Sequence, residues 1–114
     1  MDEKRSLHIL WTNADPETSQ FMVMMYATNS MLHHWWDEVT VIVWGATARF
    51  AAENPQIQDA IQAAMHAGVK FSACSACARQ LGVIEKLQAQ GIEVIPWGAK
   101  LTEILQGNGK LITV

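Results

Sequence analysis

Five short apolar segments alternate with segments of helical periodicity, and this alternation limits the chain to very few folds. The apolar segments cover residues 6–11, 38–45, 69–73, 92–95 and 110–114. They are bounded by turn-forming residues, and the second is rich in β-branched side chains, as in a buried strand. Strands that alternate with helices form a parallel sheet through right-handed crossovers. The sequence therefore predicts a single α/β domain over residues 1–114, a three-layer sandwich whose mainly parallel five-stranded sheet has helices on both faces.

The segments between the strands indicate where helices begin and end. Asp15 before Pro16 is a typical helix start, and the helix that follows is predicted to run to about Leu32. Further helices are predicted at three places: residues 55–67, from the cysteines to Gly91, and residues 100–106. Residues 46–54 are predicted to form only a helical turn or a loop. Because the first helix is apolar over most of its circumference, we expect it to be covered on more than one side, which favours a homo-oligomer.

Composition excludes several classes of function. Half of the 114 residues are hydrophobic, and the formal net charge of −3 is spread along the chain. Without a basic stripe for a phosphate backbone, we expect no nucleic-acid binding. No stretch approaches the roughly 20 apolar residues that span a bilayer, and residues 7–11 are too short for the hydrophobic part of a signal peptide. We therefore expect no membrane association and a cytoplasmic location.

The two cysteines of the chain, Cys74 and Cys77, form a C-x-x-C motif where an extended segment gives way to a helical pattern. A thiol at the start of a helix meets unpaired backbone N–H groups and the positive end of the helix dipole. Both favour the thiolate, which is the form that performs sulfur chemistry. The motif therefore predicts an accessible, reactive thiol at Cys74, with Cys77 one helical turn away as its partner.

Other candidate site residues follow from the predicted sheet, because ligands of such sheets bind beyond the carboxyl ends of the strands. Three tryptophans stand at strand ends: Trp11, Trp44 and Trp97. We predict that some of them wall a crevice around Cys74 and exclude water from a reactive sulfur species; the alternative is that they are core or subunit contacts. Thr12 and Asn13, at the end of the first strand, are predicted to bind polar groups of a substrate.

The cysteine segment resembles one known family. A strand followed by Cys74, Cys77 and then Gly82 is similar to the DsrE/DsrF-like superfamily, which includes YchN-type and TusD-type proteins. The resemblance covers most of the chain in length and element order. It implies a flavodoxin-like α/β fold, a trimeric or hexameric assembly, and a role as a cytoplasmic sulfur-relay carrier.

The resemblance also implies a role for Cys74. In such relays the cysteine that carries the persulfide stands eight residues before a glycine, and Cys74 stands eight residues before Gly82. The family often has arginine immediately before this glycine, whereas this chain has Leu81 there and Arg79 two residues earlier.

Four functions remain open for the cysteine pair. In the first, Cys74 carries a persulfide between sulfur donor and acceptor proteins. In the second, Cys74 and Cys77 form a dithiol–disulfide oxidoreductase, in which Arg79 helps to hold a thiolate. The third is a metal site, but one C-x-x-C supplies only two of the four ligands that structural zinc requires, so we predict no metal. The fourth is a binding protein without catalytic activity, whose cysteines are small buried hydrophobic residues.

We predict no cofactor. Gly107 and Gly109 form a turn with no helix after it, which is unlike a phosphate-binding loop.

Overall fold

The computed structural model describes residues 4–114. Its sheet has five strands: β1 (Ser6–Trp11), β2 (Glu38–Val43), β3 (Lys70–Cys74), β4 (Glu93–Ile95) and β5 (Lys110–Thr113). Their order in the sheet is β4-β3-β2-β1-β5, and each neighbouring pair is parallel. The predicted five-stranded parallel sheet is therefore confirmed, and the carboxyl ends of all five strands meet at one edge.

The helices connect these strands in chain order. They are α1 (Pro16–Thr18), which continues through a π-helical segment (Ser19–Met24) into α2 (Met25–Leu32), then α3 (Ala46–Glu53), α4 (Pro55–His66), α5 (Ser75–Leu81), α6 (Ile84–Gln88) and α7 (Gly98–Gln106). The predicted helix start at Asp15 is confirmed, since its carboxylate accepts a hydrogen bond from the Thr18 amide at 2.9 Å. Asn54 caps α4 in the same way through the Ile57 amide at 2.9 Å.

Two predictions about helices are wrong. Residues 46–54 contain a helix of eight residues, α3, because their alanine-rich sequence favours helix strongly. The segment after the cysteines forms two short helices and not one, because Gly82 ends α5 in the left-handed conformation with φ of 69°. The Val83 amide then donates to the Ala78 carbonyl at 2.9 Å, which satisfies a carbonyl at the helix end.

The order of the strands explains how the helices are distributed over the two faces. The chain moves in one direction from β1 to β4, so right-handed crossovers place α1–α6 on the same face. The connection from β4 to β5 returns in the opposite direction, and α7 therefore lies on the other face. The predicted cover on both faces is confirmed, but it is unequal.

The buried side chains form two clusters, one on each face, because successive strand residues point to opposite sides. The larger cluster includes Ile9, Val41 and Phe71 together with buried residues of α3, α4 and α6. The smaller cluster contains Ile42, Cys74 and Trp97, and the partly buried side chains packed against it are Leu10, Trp44, Cys77, Ile95, Ile104 and Leu111. Among the described helices, only α5 and α7 contribute to this second cluster, through Cys77 and Ile104.

Replacing Gly82 by Ala should lower the free energy of unfolding by about 1 kcal/mol, because an L side chain is strained at positive φ. The added methyl group would meet open space, so the backbone conformation alone causes the loss. Gly98→Ala is the matched control, because Gly98 is also surrounded by open space but has no positive φ. Urea titration measures the free energy of unfolding of both variants. Equal values for Gly82→Ala and Gly98→Ala would contradict the prediction.

Candidate functional site

The cysteine pair lies at the carboxyl end of β3, where the strand passes directly into α5. Cys74 is the last residue of the strand and the N-cap of the helix, with an extended backbone (φ −67°, ψ 117°). Cys77 lies in the first turn of α5. The predicted position of the motif, at a strand end and a helix start, is confirmed.

Cys74 is buried, and the prediction that its thiol is accessible is wrong. Only 4% of the residue is exposed, and it packs with Ile42 and Trp97 in the smaller cluster. The physical reason is the alternation of side chains along β3. Ala73 faces the larger cluster, so Cys74 faces the opposite side, where the segment after β4 covers it.

Trp97 is the largest side chain of this cover and is held by a short chain of hydrogen bonds. Its indole N–H donates to the Ser72 hydroxyl at 2.8 Å, and that hydroxyl donates to a Glu93 carboxylate oxygen at 2.8 Å. The edge of the ring packs against His8, with ring centroids 6.3 Å apart. Burial lowers the pKa of His8, while the charge of Glu38 opposes this effect. Burial therefore disfavours a charged imidazole beside Trp97, whose ring centroid also lies 5.7 Å from the Lys100 ammonium nitrogen.

Cys77 is half-buried and lies on the wall of a cleft of about 920 Å³ between α3 and α5. This volume lies within the range of small-molecule sites in proteins. The wall is mostly apolar and is formed by twelve residues: Ala14, Gly45, Ala46, Arg49, Phe50, Glu53, Asn54, Pro55, Ala76, Cys77, Gln80 and Leu81. The accessible sulfur of the pair is therefore that of Cys77.

A backbone N–H group points at this sulfur. The Gly45 amide donates to Cys77 Sγ at a distance of 3.4 Å from nitrogen to sulfur. Gly45 adopts φ of 69° and ψ of −133°, a conformation that is essentially restricted to glycine. The segment that follows β2 thus provides a fixed donor to the thiol that follows β3.

The surroundings of Cys77 keep it protonated in the resting state. Burial raises the pKa of the Cys77 thiol, and the neighbouring Cys74 raises it further. The Gly45 N–H group acts in the opposite direction, because it stabilises negative charge on sulfur. The cleft therefore holds a thiol that ionises with difficulty, with a donor in place for the anion once it forms.

The prediction that some of the three tryptophans surround Cys74 holds for Trp44 and Trp97, but they form a closed cluster and not an open crevice. Trp11 is fully buried on the opposite face of the sheet, where its indole N–H donates to the Ser19 hydroxyl at 3.0 Å. Trp44 and Trp97 do pack in the cluster that contains Cys74, but they seal it. None of the three tryptophans lines the cleft.

The remaining predicted residues lie outside the cleft as well. The amides of Thr12 and Asn13 donate to the carbonyl of Val114 at 2.8 and 3.1 Å, so these residues fix the chain beside β1. Arg79 is exposed and lies two residues after Cys77. Two residues on a helix are about 200° apart, which directs Arg79 away from the side that Cys77 occupies.

Sequence reasoning missed the polar side chains of the cleft. Arg49 and Glu53 on α3 form an exposed ion pair, with 3.8 Å between Nε and Oε1, and Gln80 lies on α5. Arg49 and Glu53 escape the sequence reasoning because it assigns residues 46–54 to a turn or loop. The four-residue spacing of Arg49 and Glu53, which suits an ion pair on a helix surface, is the signal that identifies this helix.

Residues 4–114 contain no group of three or more His, Cys, Asp or Glu side chains arranged to hold a metal ion. Within the same residues, no helix combines the length and apolar character needed to cross a membrane.

Comparisons with known proteins agree with this architecture. A conserved protein of unknown function from Bacteroides thetaiotaomicron, BT1422, is 34% identical, with a TM-score of 0.94 over 96% of this chain and 95% of that chain. MTH1491 from Methanobacterium thermoautotrophicum, also of unknown function, is 14% identical with a TM-score of 0.72, over 98% of this chain and 100% of that chain. The ychN protein of E. coli is 13% identical with a TM-score of 0.71, over the same shares. These last two show the fold alone.

No curated protein matches the chain. The model of the DsrE/DsrF-like family matches residues 7–114, which is nearly the whole sequence. The chain therefore belongs to the DsrE/DsrF-like family.

Proposed function

We propose that this protein carries sulfane sulfur as a persulfide on its cysteine pair, and that Cys77 is the first acceptor. The observation that carries this proposal is the position of Cys77 Sγ, on the wall of the cleft and 3.4 Å from the Gly45 amide nitrogen. Membership of a family that includes sulfur-relay carriers supports the same chemistry. A free thiol beside a cleft and a backbone donor are the two features that the transfer needs.

The transfer is a displacement at sulfur. The Cys77 thiolate attacks the outer sulfur of a donor persulfide, a new S–S bond forms, and the donor's S–S bond breaks. The donor leaves as a thiolate and takes up the proton that Cys77 has lost, so the step has no net oxidation or reduction. The Gly45 N–H group stabilises the attacking anion. The raised pKa makes the Cys77 thiolate scarcer at neutral pH, although the thiolate is more nucleophilic once it has formed, so the Gly45 donor acts against the main cost of the attack.

This proposal exchanges the roles that the family resemblance implied. The resemblance assigns the persulfide to Cys74, but only 4% of that residue is exposed. A donor protein or small persulfide meets Cys77 first, because Cys77 and not Cys74 lines the cleft. Donor and acceptor proteins would present their cysteines at this opening. A cytoplasmic location fits such a carrier, because two free thiols persist in a reducing compartment.

We also propose that the protein forms a homo-oligomer through the helix that runs from Pro16 to Leu32. Three large apolar side chains on it are exposed, Phe21 by 62%, Met25 by 48% and Leu32 by 59%, and Trp35 beyond its end is exposed by 50%. Their spacing places them along one side of the helix. A second copy of the chain is the partner that would cover this apolar stripe.

Iodoacetamide should modify Cys77 before Cys74 in the folded protein, because only Cys77 lines the cleft. Fragment-ion mass spectrometry of the peptide that contains both cysteines locates the label. The labelling rate of Cys77 should rise with pH, with a midpoint above that of a free cysteine, because burial raises the pKa of this thiol. Equal labelling of both cysteines without denaturant would contradict the proposed order.

A cysteine desulfurase with cysteine should add one sulfur atom, about 32 Da, to the Cys74→Ser variant, because Cys77 remains as the acceptor. The matched Cys77→Ser variant should show no such adduct, and intact-mass analysis measures both. An adduct on Cys77→Ser but not on Cys74→Ser would return the acceptor role to Cys74. If both variants lack it, the carrier function itself is wrong.

Replacing Phe21 and Leu32 together by Ser should reduce the oligomer to a smaller species, because it removes two exposed apolar groups from the proposed contact. Leu105→Ser is the control, because Leu105 is exposed by 65% on the other face of the sheet. Sedimentation equilibrium measures the mass of each variant. If the double variant keeps the mass of the unmodified protein, the oligomer does not use this stripe.

A further inference from the structure

We propose that Cys74 discharges the persulfide on Cys77, so that the protein reduces sulfane sulfur to sulfide and closes a Cys74–Cys77 disulfide. The inference rests on the proposed function, because it begins from the persulfide of Cys77. It adds a second reaction at the same site and assigns to Cys74 the role of a resolving thiol.

The local backbone places the two cysteines near each other. Cys74 is the N-cap of α5 and Cys77 is the third residue of the helix, and the side chain of an N-cap residue normally reaches the backbone at that third position. The Cys74 side chain has no such capping hydrogen bond. Both cysteines contact the smaller cluster, Cys74 as a buried member and Cys77 as a partly buried side chain packed against it. Residues so spaced need only a small adjustment to reach the geometry of a disulfide.

Burial gives the two reactions an order. Cys74 is covered by Ile42 and Trp97 and lies outside the cleft, so a donor in the cleft meets Cys77 first. Once Cys77 holds the persulfide, its outer sulfur occupies the cleft and its inner sulfur remains beside Cys74. Attack by Cys74 therefore falls on the inner sulfur, and the outer sulfur is the leaving group. In this arrangement the buried cysteine is protected from external reagents until the sulfur has arrived.

The step balances in atoms and electrons. The Cys74 thiolate forms a bond to Cys77 Sγ, the bond from Cys77 Sγ to the outer sulfur breaks, and the outer sulfur leaves as hydrosulfide with its own proton. The proton lost by Cys74 passes to solvent or to the departing sulfide. The two thiols are oxidised to a disulfide by two electrons, and the sulfane sulfur is reduced to sulfide. A dithiol reductant restores both thiols for the next cycle.

A single-turnover experiment tests the inference. The reduced protein, freed of reductant, receives substoichiometric glutathione persulfide as the donor. The fraction that reacts should become about 2 Da lighter than the reduced protein, because it has lost two thiol hydrogens, and should release an equal amount of sulfide. Intact-mass analysis detects the disulfide, and a colorimetric assay measures the sulfide. Dithiothreitol should return the protein to its reduced mass.

The variants separate this inference from the proposed function. Cys74→Ser should keep a lasting adduct of about 32 Da, because the resolving thiol is absent. Its rate of sulfide release should fall at least roughly tenfold below that of the unmodified protein. Cys77→Ser should form neither adduct nor disulfide. A lasting adduct on the unmodified protein would overturn the inference and leave the carrier function intact. Sulfide release from Cys74→Ser at the rate of the unmodified protein would also overturn it, because the released glutathione would then be the reductant.

The absence of both adduct and sulfide in the unmodified protein and in Cys74→Ser would instead refute the carrier function itself. The result for the unmodified protein does not depend on the folding of any variant, so the inference can be tested even if Cys74→Ser is unstable.

Discussion

Successive side chains of a β-strand point to opposite faces of the sheet, and this constraint decides which cysteine of the motif is accessible. Ala73 faces the larger cluster, so Cys74 must face the smaller one, where Trp97 and Ile42 cover it. Cys77, three residues later, already lies on α5 and reaches the cleft beside α3. A shift of the strand by one residue would reverse this arrangement. The chemistry that we propose therefore depends on the register of β3, which its pairing with β2 and β4 fixes.

The cleft does not lie where an open parallel sheet usually binds its ligand. Such ligands bind at the point where the strand order reverses, which in this sheet is between β1 and β5. The carbonyl of Val114 occupies that edge and accepts hydrogen bonds from the amides of Thr12 and Asn13. The cleft instead lies beyond β2 and β3. Gly45 follows β2, Cys77 follows β3, and both line the cleft. The backbone after β2 thereby becomes part of the site of a thiol that follows β3.

Local signals in the sequence were sufficient for most of the fold. The strands are short apolar runs, the caps at Asp15 and Asn54 are short-range hydrogen bonds, and the positions of both follow from neighbouring residues. The burial of Cys74 depends instead on Trp97, which lies 23 residues later and is held by Ser72. No pattern of spacing around the cysteines reveals such a contact. The same is true of Gly45, whose amide reaches Cys77 across 32 residues.

The order of burial in this motif has a chemical consequence. The helix start favours a thiolate, and a thiol that ionised there without cover would be open to any oxidant. Burial raises the pKa of Cys77 and so keeps it mostly protonated, while the Gly45 N–H group stabilises the anion that an incoming donor requires. Cys74 is excluded from solvent, and Cys77 lies three residues later at the start of the same helix. In the exchange that we propose, the partner of Cys74 is therefore the sulfur that Cys77 already holds, and the order of burial sets the direction of transfer.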